Sequence, residues 1–134
     1  LAAAGYAAFG QQSGPIAAWD SLQALPRFPV NQSFADSPLM ATKLLSLPFP
    51  EVLDRHEPIV TENPPTLTLR SVPEIDRVSG FDGSGTPLDR RADGPVHRFR
   101  AAAPLAPGRN RYNCTYPAHR EGRFHWLSQF WFVP

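Results

Sequence analysis

The stretch GRNRYNCTYP (108–117), joined through AHREG (118–122) to RFHWLSQFWFV (123–133), decides how this chain folds. The second arm is dense in aromatic residues and the first carries Tyr112, Thr115 and Tyr116, types that suit a pleated, half-buried strand. Side chains on a strand alternate between faces. Tyr112, Cys114 and Tyr116 therefore share one side of the first arm, and Arg109, Arg111, Asn113 and Thr115 the other. In the second arm Phe124, Trp126, Phe130 and Phe132 fall on one side, interrupted by Ser128. Arg123, His125, Leu127, Gln129 and Trp131 fall on the opposite one. The five residues between the arms include Gly122 and fit a hairpin loop. The aromatic sides are expected to form the core, with Cys114 as a small buried hydrophobe. The outward side then gathers Arg109, Arg111, Arg123, His125 and Trp131 as candidate binding residues. Two uses are open. Trp131 can stack on a pyranose while the polar groups read hydroxyls, or the face can dock on another domain. Docking ranks first, because aromatic and Arg enrichment marks protein interfaces.

Working outward, the texture stays the same back to Thr66. TLTLRSV (66–72) places Leu67 and Leu69 on one side. EIDRVSGF (74–81) reads as the next strand and DGSG (82–85) as a turn. PVHRFRAA (95–102) sets Phe99 and Ala101 opposite Arg98 and Arg100, and PGRN (107–110) closes it. Five or six short strands with turn residues about every ten positions predict an antiparallel, immunoglobulin-like β-sandwich over residues 65–134.

Residues 26–65 differ. Pro26, Pro29, Pro38, Pro48, Pro50, Pro58, Pro64 and Pro65 punctuate them. Proline fixes φ and removes a donor, so residues 31–64 read as a stiff connector. One helix fits there, Ser37–Ser46, with Ser37 as N-cap, Pro38 at the first turn, and Leu39, Met40, Leu44 and Leu45 on one face. At the other end, Leu1–Ala4 reads as a last helical turn ended by Gly5, which takes the left-handed conformation freely. Tyr6–Phe9 follows as a short buried strand.

The 134 residues carry a net charge of +1 and no nucleic-acid motif, so nucleic acid is not an expected partner. Lys43 is the sole lysine beside twelve arginines. No apolar run reaches the ~18 residues of a membrane span. One cysteine excludes an internal disulfide. Compartment is left open.

Catalytic groups are sparse. A zinc site needs three or four converging ligands. Cys114, His119 and His125 have an unusual spacing for one, and Cys114 points to the core. His56 reads as solvated, and His97, in phase with Phe99, as a satisfied, partly buried histidine. Ser13 lacks the Gly-x-Ser-x-Gly elbow. Asn113-Cys114-Thr115 fits the glycosylation sequon formally. No metal or other cofactor site is expected within this chain.

Two stretches carry a resemblance. AGYAAFGQQSGPIAAWDSLQALPRFPV (4–30) resembles the closing segment of the catalytic domain in bacterial polysaccharide deacetylases, carbohydrate esterase family 4. There a Gly-Tyr opens a late barrel strand, a Gly-containing loop follows, and a Leu-Pro-Arg strand comes next. The corresponding residues are Gly5-Tyr6, Ser13-Gly14 and Leu25-Pro26-Arg27-Phe28. GRNRYNCTYPAHREGRFHWLSQFWF (108–132) is similar to a β-domain appended to one group of these enzymes, through Gly108, Arg109, Arg111, Asn113, Cys114, Thr115, Trp126 and Ser128. The resemblance implies that residues 1–30 end a distorted (β/α) barrel, that 31–64 connect, and that 65–134 are the appended β-domain. It implies a parent enzyme that holds a divalent metal, zinc or similar, by an Asp and two His, with a further Asp as base. No Asp-Asp pair and no His-x3-His stands in this sequence. The chain would be non-catalytic alone, partnered by its own missing catalytic domain and by an acetylated polysaccharide. Arg27 is then the one residue that could face the active site, the other reading being a salt bridge that holds its strand. The alternative to the whole scheme is an independent carbohydrate- or protein-binding β-sandwich.

Overall fold

The computed structural model describes residues 4–30, 37–49, 57–70, 74–120 and 122–134. The chain is mainly β: helix α1 (Ser37–Leu44), then strands β1 (Leu47–Pro48), β2 (Thr66–Arg70), β3 (Ser79–Asp82), β4 (Asp89–Asp93), β5 (Val96–Arg100), β6 (Gly108–Pro117) and β7 (Phe124–Val133). Packing divides it into two compact units. One comprises residues 1–49 and 117–127, the other 50–116 and 128–134, so β7 belongs in part to each.

The second unit holds two open sheets. In one, β5 pairs antiparallel with both neighbours in the order β2-β5-β4, with Leu67 opposite Phe99 and Arg98 opposite Arg91. In the other, the order is β7-β6-β3, with Gly80 opposite Cys114. Leu67, Leu69, Phe99, Tyr112 and Cys114 are fully buried, as the alternation of β2, β5 and β6 requires. Gly80 is glycine for want of room: a Cβ there would lie 3.0 Å from Phe99 and 3.1 Å from Leu88. The Tyr112 hydroxyl donates to the Pro65 carbonyl at 3.1 Å and accepts from the Ala101 amide at 3.2 Å. Its ring meets Trp131 edge to face at 5.7 Å.

That contact overturns the facing expected for β7. Trp131 and Val133 are buried, whereas Phe132 and Phe124 are exposed. The hairpin explains the inversion. The Ala118 amide bonds to the Arg123 carbonyl, which sets an even residue of β6 against an odd residue of β7. Tyr112 and Trp131 keep the same parity. A slip of one residue sends every side chain to the other face, and the alternation within β7 misleads because the buried Trp131 shares its parity with Arg123, His125 and Gln129. Phe132 instead fixes its backbone, donating to Pro58 and accepting from Val60.

EIDRVSGF is not one strand. Ile75–Arg77 forms a 3-10 turn entered through Glu74 at φ 53°. Arg90 clamps that turn, donating to the Ile75 and Asp76 carbonyls and to the Asp76 carboxylate at 2.7 Å. Strand β4 escaped the sequence reading because all five of its residues are exposed and no alternation marks it. His97 is buried, but its Nδ1 has no hydrogen-bond partner among the described residues, so it is not the satisfied histidine expected.

The DGSG turn forms as read. Asp82 Oδ1 accepts from the Ser84 amide and hydroxyl and from the Thr86 amide. Burial raises the Asp82 pKa, but these hydrogen bonds outweigh it and the net shift is downward. A depressed carboxyl stabilises above its unfolded pKa, and that contribution fades as pH falls through the folded value. Asp82→Ala should therefore lower stability at neutral pH, by less than about 1 kcal/mol because water screens the exposed turn. The difference from wild type, followed by urea titration, should shrink toward acid. An equal difference at pH 7 and pH 2 would contradict this.

In the first unit β1 runs parallel to β7, Leu47 opposite His125. Helix α1 ends at Leu44, short of Ser46, and of the residues expected on one face Leu39, Leu44 and Leu45 are exposed. The capping role of Ser37 lies outside the described residues, as do Leu1–Ala3 and His56. Gly5 is left-handed at φ 72° as expected. Tyr6–Phe9 is not a buried strand, because Tyr6 and Phe9 are each more than 60% exposed (65% and 62%). An isolated parallel bridge joins Phe9 to Leu25.

Candidate functional site

The five outward candidates divide between the two units, and Trp131 among them is buried. Arg109 and Arg111 are exposed on β6, as the alternation predicts. The Arg109 guanidinium lies over the Phe130 ring at 5.1 Å, a cation–π contact that orients it. Arg123 and His125 belong to the first unit and serve its backbone. Arg123 Nε donates to the Leu45 carbonyl at 2.7 Å, and His125 Nδ1 lies 2.8 Å from the Pro48 carbonyl. Both hold the segment that pairs with the start of β7. Trp131 is core and offers no ring to a ligand. Arg27 is exposed, with Nε 3.4 Å from the Gly10 carbonyl and its amide bonded to Gln12. It braces the neighbouring backbone through carbonyls, and no carboxylate partners it among the described residues.

A cleft of about 660 Å³ lies wholly within the second unit. Arg109, Asn110 and Arg111 line it from β6, the Asp82–Ser84 turn from another side, and Pro104–Ala106 from a third. Its walls are fixed. Asn63 bonds the Leu105 amide and carbonyl at 2.7 and 2.9 Å, and Asn110 Nδ2 donates to Ala106 and Gly108. Asp82 and Leu105 were not singled out from sequence. The Asp82 turn was legible, but the connection that carries Leu105 has no pattern of its own.

No three of His, Cys, Asp or Glu converge among the described residues. His119 is exposed, and Cys114 is buried with its thiol pushed up to about 12 by desolvation. These residues do not make the Asp-His-His centre implied for a parent enzyme. The sequon Asn113 lies inside β6 opposite Phe81, with its Oδ1 buried, a poor acceptor for a glycan. No described helix is long and apolar enough to cross a membrane. No family model matches the chain, and neither a curated protein nor a solved structure is significantly similar to it.

Proposed function

We propose that this chain is the C-terminal part of a polysaccharide deacetylase and is non-catalytic by itself. One observation beyond the sequence resemblance carries the reading. The two stretches that resemble late barrel strands, around Gly5-Tyr6 and Leu25-Pro26-Arg27, lie parallel and bonded. Leu25 N donates to Ala8 at 2.9 Å, and Gly10 N donates to Leu25 at 2.8 Å. Parallel pairing of successive strands is what a (β/α) barrel builds, and a two-stranded remnant would leave Tyr6 and Phe9 open as they are.

The second unit fits an appended immunoglobulin-like sandwich. The orders β2-β5-β4 and β7-β6-β3 correspond to B-E-D and G-F-C of that fold. Tyr112 stands two residues before Cys114 and bonds upstream backbone through its hydroxyl, in the manner of a tyrosine corner. In the full enzyme a divalent metal would polarise the acetyl carbonyl and lower the pKa of its water. This chain would supply neither ligand nor base, and its partner would be the catalytic domain upstream. A second reading, an independent carbohydrate-binding sandwich, draws on the cleft beside Arg111.

Reading the codons upstream of Leu1 tests the proposal. A Thr-x-Asp-Asp and a His-x3-His are expected in frame, and their absence would sink it. The purified chain, given acetylated chitooligosaccharide with Zn²⁺ or Co²⁺, should release no acetate above a boiled control. Metal-dependent release would overturn the non-catalytic assignment.

A further inference from the structure

The cleft between the Asp82–Ser84 turn, Pro104–Ala106 and β6 is built from polar groups that mostly bind one another. Asp82 Oδ1 takes three bonds from Ser84 and Thr86 at 2.6–2.9 Å. Asn110 holds Ala106 and Gly108, and Asn63 holds Leu105. Arg111 is the exception. Its guanidinium has no carboxylate or carbonyl partner among the described residues, and its stem packs where a Cβ on Gly83 would lie, 3.6 Å from Arg111 Cγ. Arg109 shares the β6 wall, but its guanidinium lies over the Phe130 ring. The one carboxylate in the lining is already engaged by its own turn, so the Arg111 fork is left for an anion.

We propose that this cleft binds a carboxylate-bearing sugar residue of a glycan, a uronate, with Arg111 as the reader of the carboxylate and Arg109 beside it. The walls favour a sugar over a peptide. A peptide adding to a sheet needs an open strand edge, and here Asp82 pairs with Tyr112 on one side and its amide donates to the Thr86 carbonyl on the other. The volume is that of a small-ligand site. Pro104, Leu105 and Ala106 give one apolar side, which suits the C–H face of a pyranose, while Arg111 comes from β6. The walls are preformed, so little ordering opposes binding. None of this depends on the deacetylase reading: upstream codons without metal motifs would leave the cleft unchanged.

The test is ¹⁵N NMR titration of the full chain with trigalacturonate, its methyl ester, sodium acetate and a triglutamate peptide. Trigalacturonate should shift the amides of Gly83, Ser84, Leu105 and Arg111 saturably. The ester, which lacks the charge, should bind at least about tenfold more weakly. Arg111→Gln should bring the same loss. Gly83→Leu keeps the guanidinium but fills the space above it, and should also abolish the shifts. No saturable shift at roughly 10 mM ligand, or equal binding of the ester, would overturn the proposal. Acetate or triglutamate binding as tightly as the uronate would overturn its sugar half.

Discussion

Tyr112→Phe should lower the unfolding free energy by about 2–4 kcal/mol, although it removes a single oxygen. That oxygen serves two backbone groups, the Pro65 carbonyl and the Ala101 amide, and both bonds are buried. Phe leaves each group shielded from water without a partner, and each orphan costs about 1–3 kcal/mol. Tyr112→Ala adds loss of the ring that meets Trp131, and should cost at least about 3–5 kcal/mol. Against a total stability of about 5–15 kcal/mol, the Ala variant should be close to unfolded. Urea titration followed by circular dichroism and Trp fluorescence measures both. A change below about 0.5 kcal/mol for Tyr112→Phe would mean that the hydroxyl does not bridge the two segments.

How far the sequence revealed this structure depends on which residues are asked. Strands β2, β5 and β6 were legible because each buries one face only: Leu67 and Leu69, Phe99, and Tyr112, Cys114 and Tyr116 stand out against Thr and Arg. Strand β7 was legible as a strand but not as a face. Trp126 meets Phe28 edge to face at 5.8 Å within the first unit, while Trp131 meets Tyr112 in the second. The polar side of β7, Arg123, His125 and Gln129, also carries the buried Trp131, so the pattern orients it wrongly, and the decisive fact is the Ala118–Arg123 bond in its turn. The site inherits that error. Arg109 and Arg111 kept their outward position because β6 was oriented correctly. Trp131 exchanged places with Phe130 and Phe132 as the candidate aromatic, and Arg123 and His125 proved to be backbone braces. The cleft depends on residues 82 and 105 meeting across the fold, and no local pattern encodes such a meeting.

Cys114 should make the chain both slow to alkylate and sensitive to alkali. Its thiol is fully buried, and desolvation pushes its pKa from 9.0 to about 12. Tyr112 and Tyr116 are also raised, first by burial, with Glu74 adding to the rise at Tyr116. For each group the folded pKa exceeds the unfolded one, so its contribution is intact below the unfolded value and is lost as pH rises toward the folded one. The unfolded chain sheds the Cys114 proton near 9.0 while the folded chain keeps it to about 12. Across that window stability should fall with a slope of about 1.4 kcal/mol per pH unit from this residue alone. The tyrosines steepen the fall above their ordinary value of 10.0. Cys114→Val should flatten the first part of the curve and leave the later part. At pH 8 iodoacetamide should label Cys114 only through opening of the β6–β7 sheet, slower than in urea by a factor on the order of 10³ or more. Labelling at the same rate with and without urea would place the thiol in solvent and undo the core assignment of β6. An unchanged alkaline midpoint in Cys114→Val would show instead that the thiol is buried without governing the pH limit of the fold, leaving Tyr112 and Tyr116 as the groups that do.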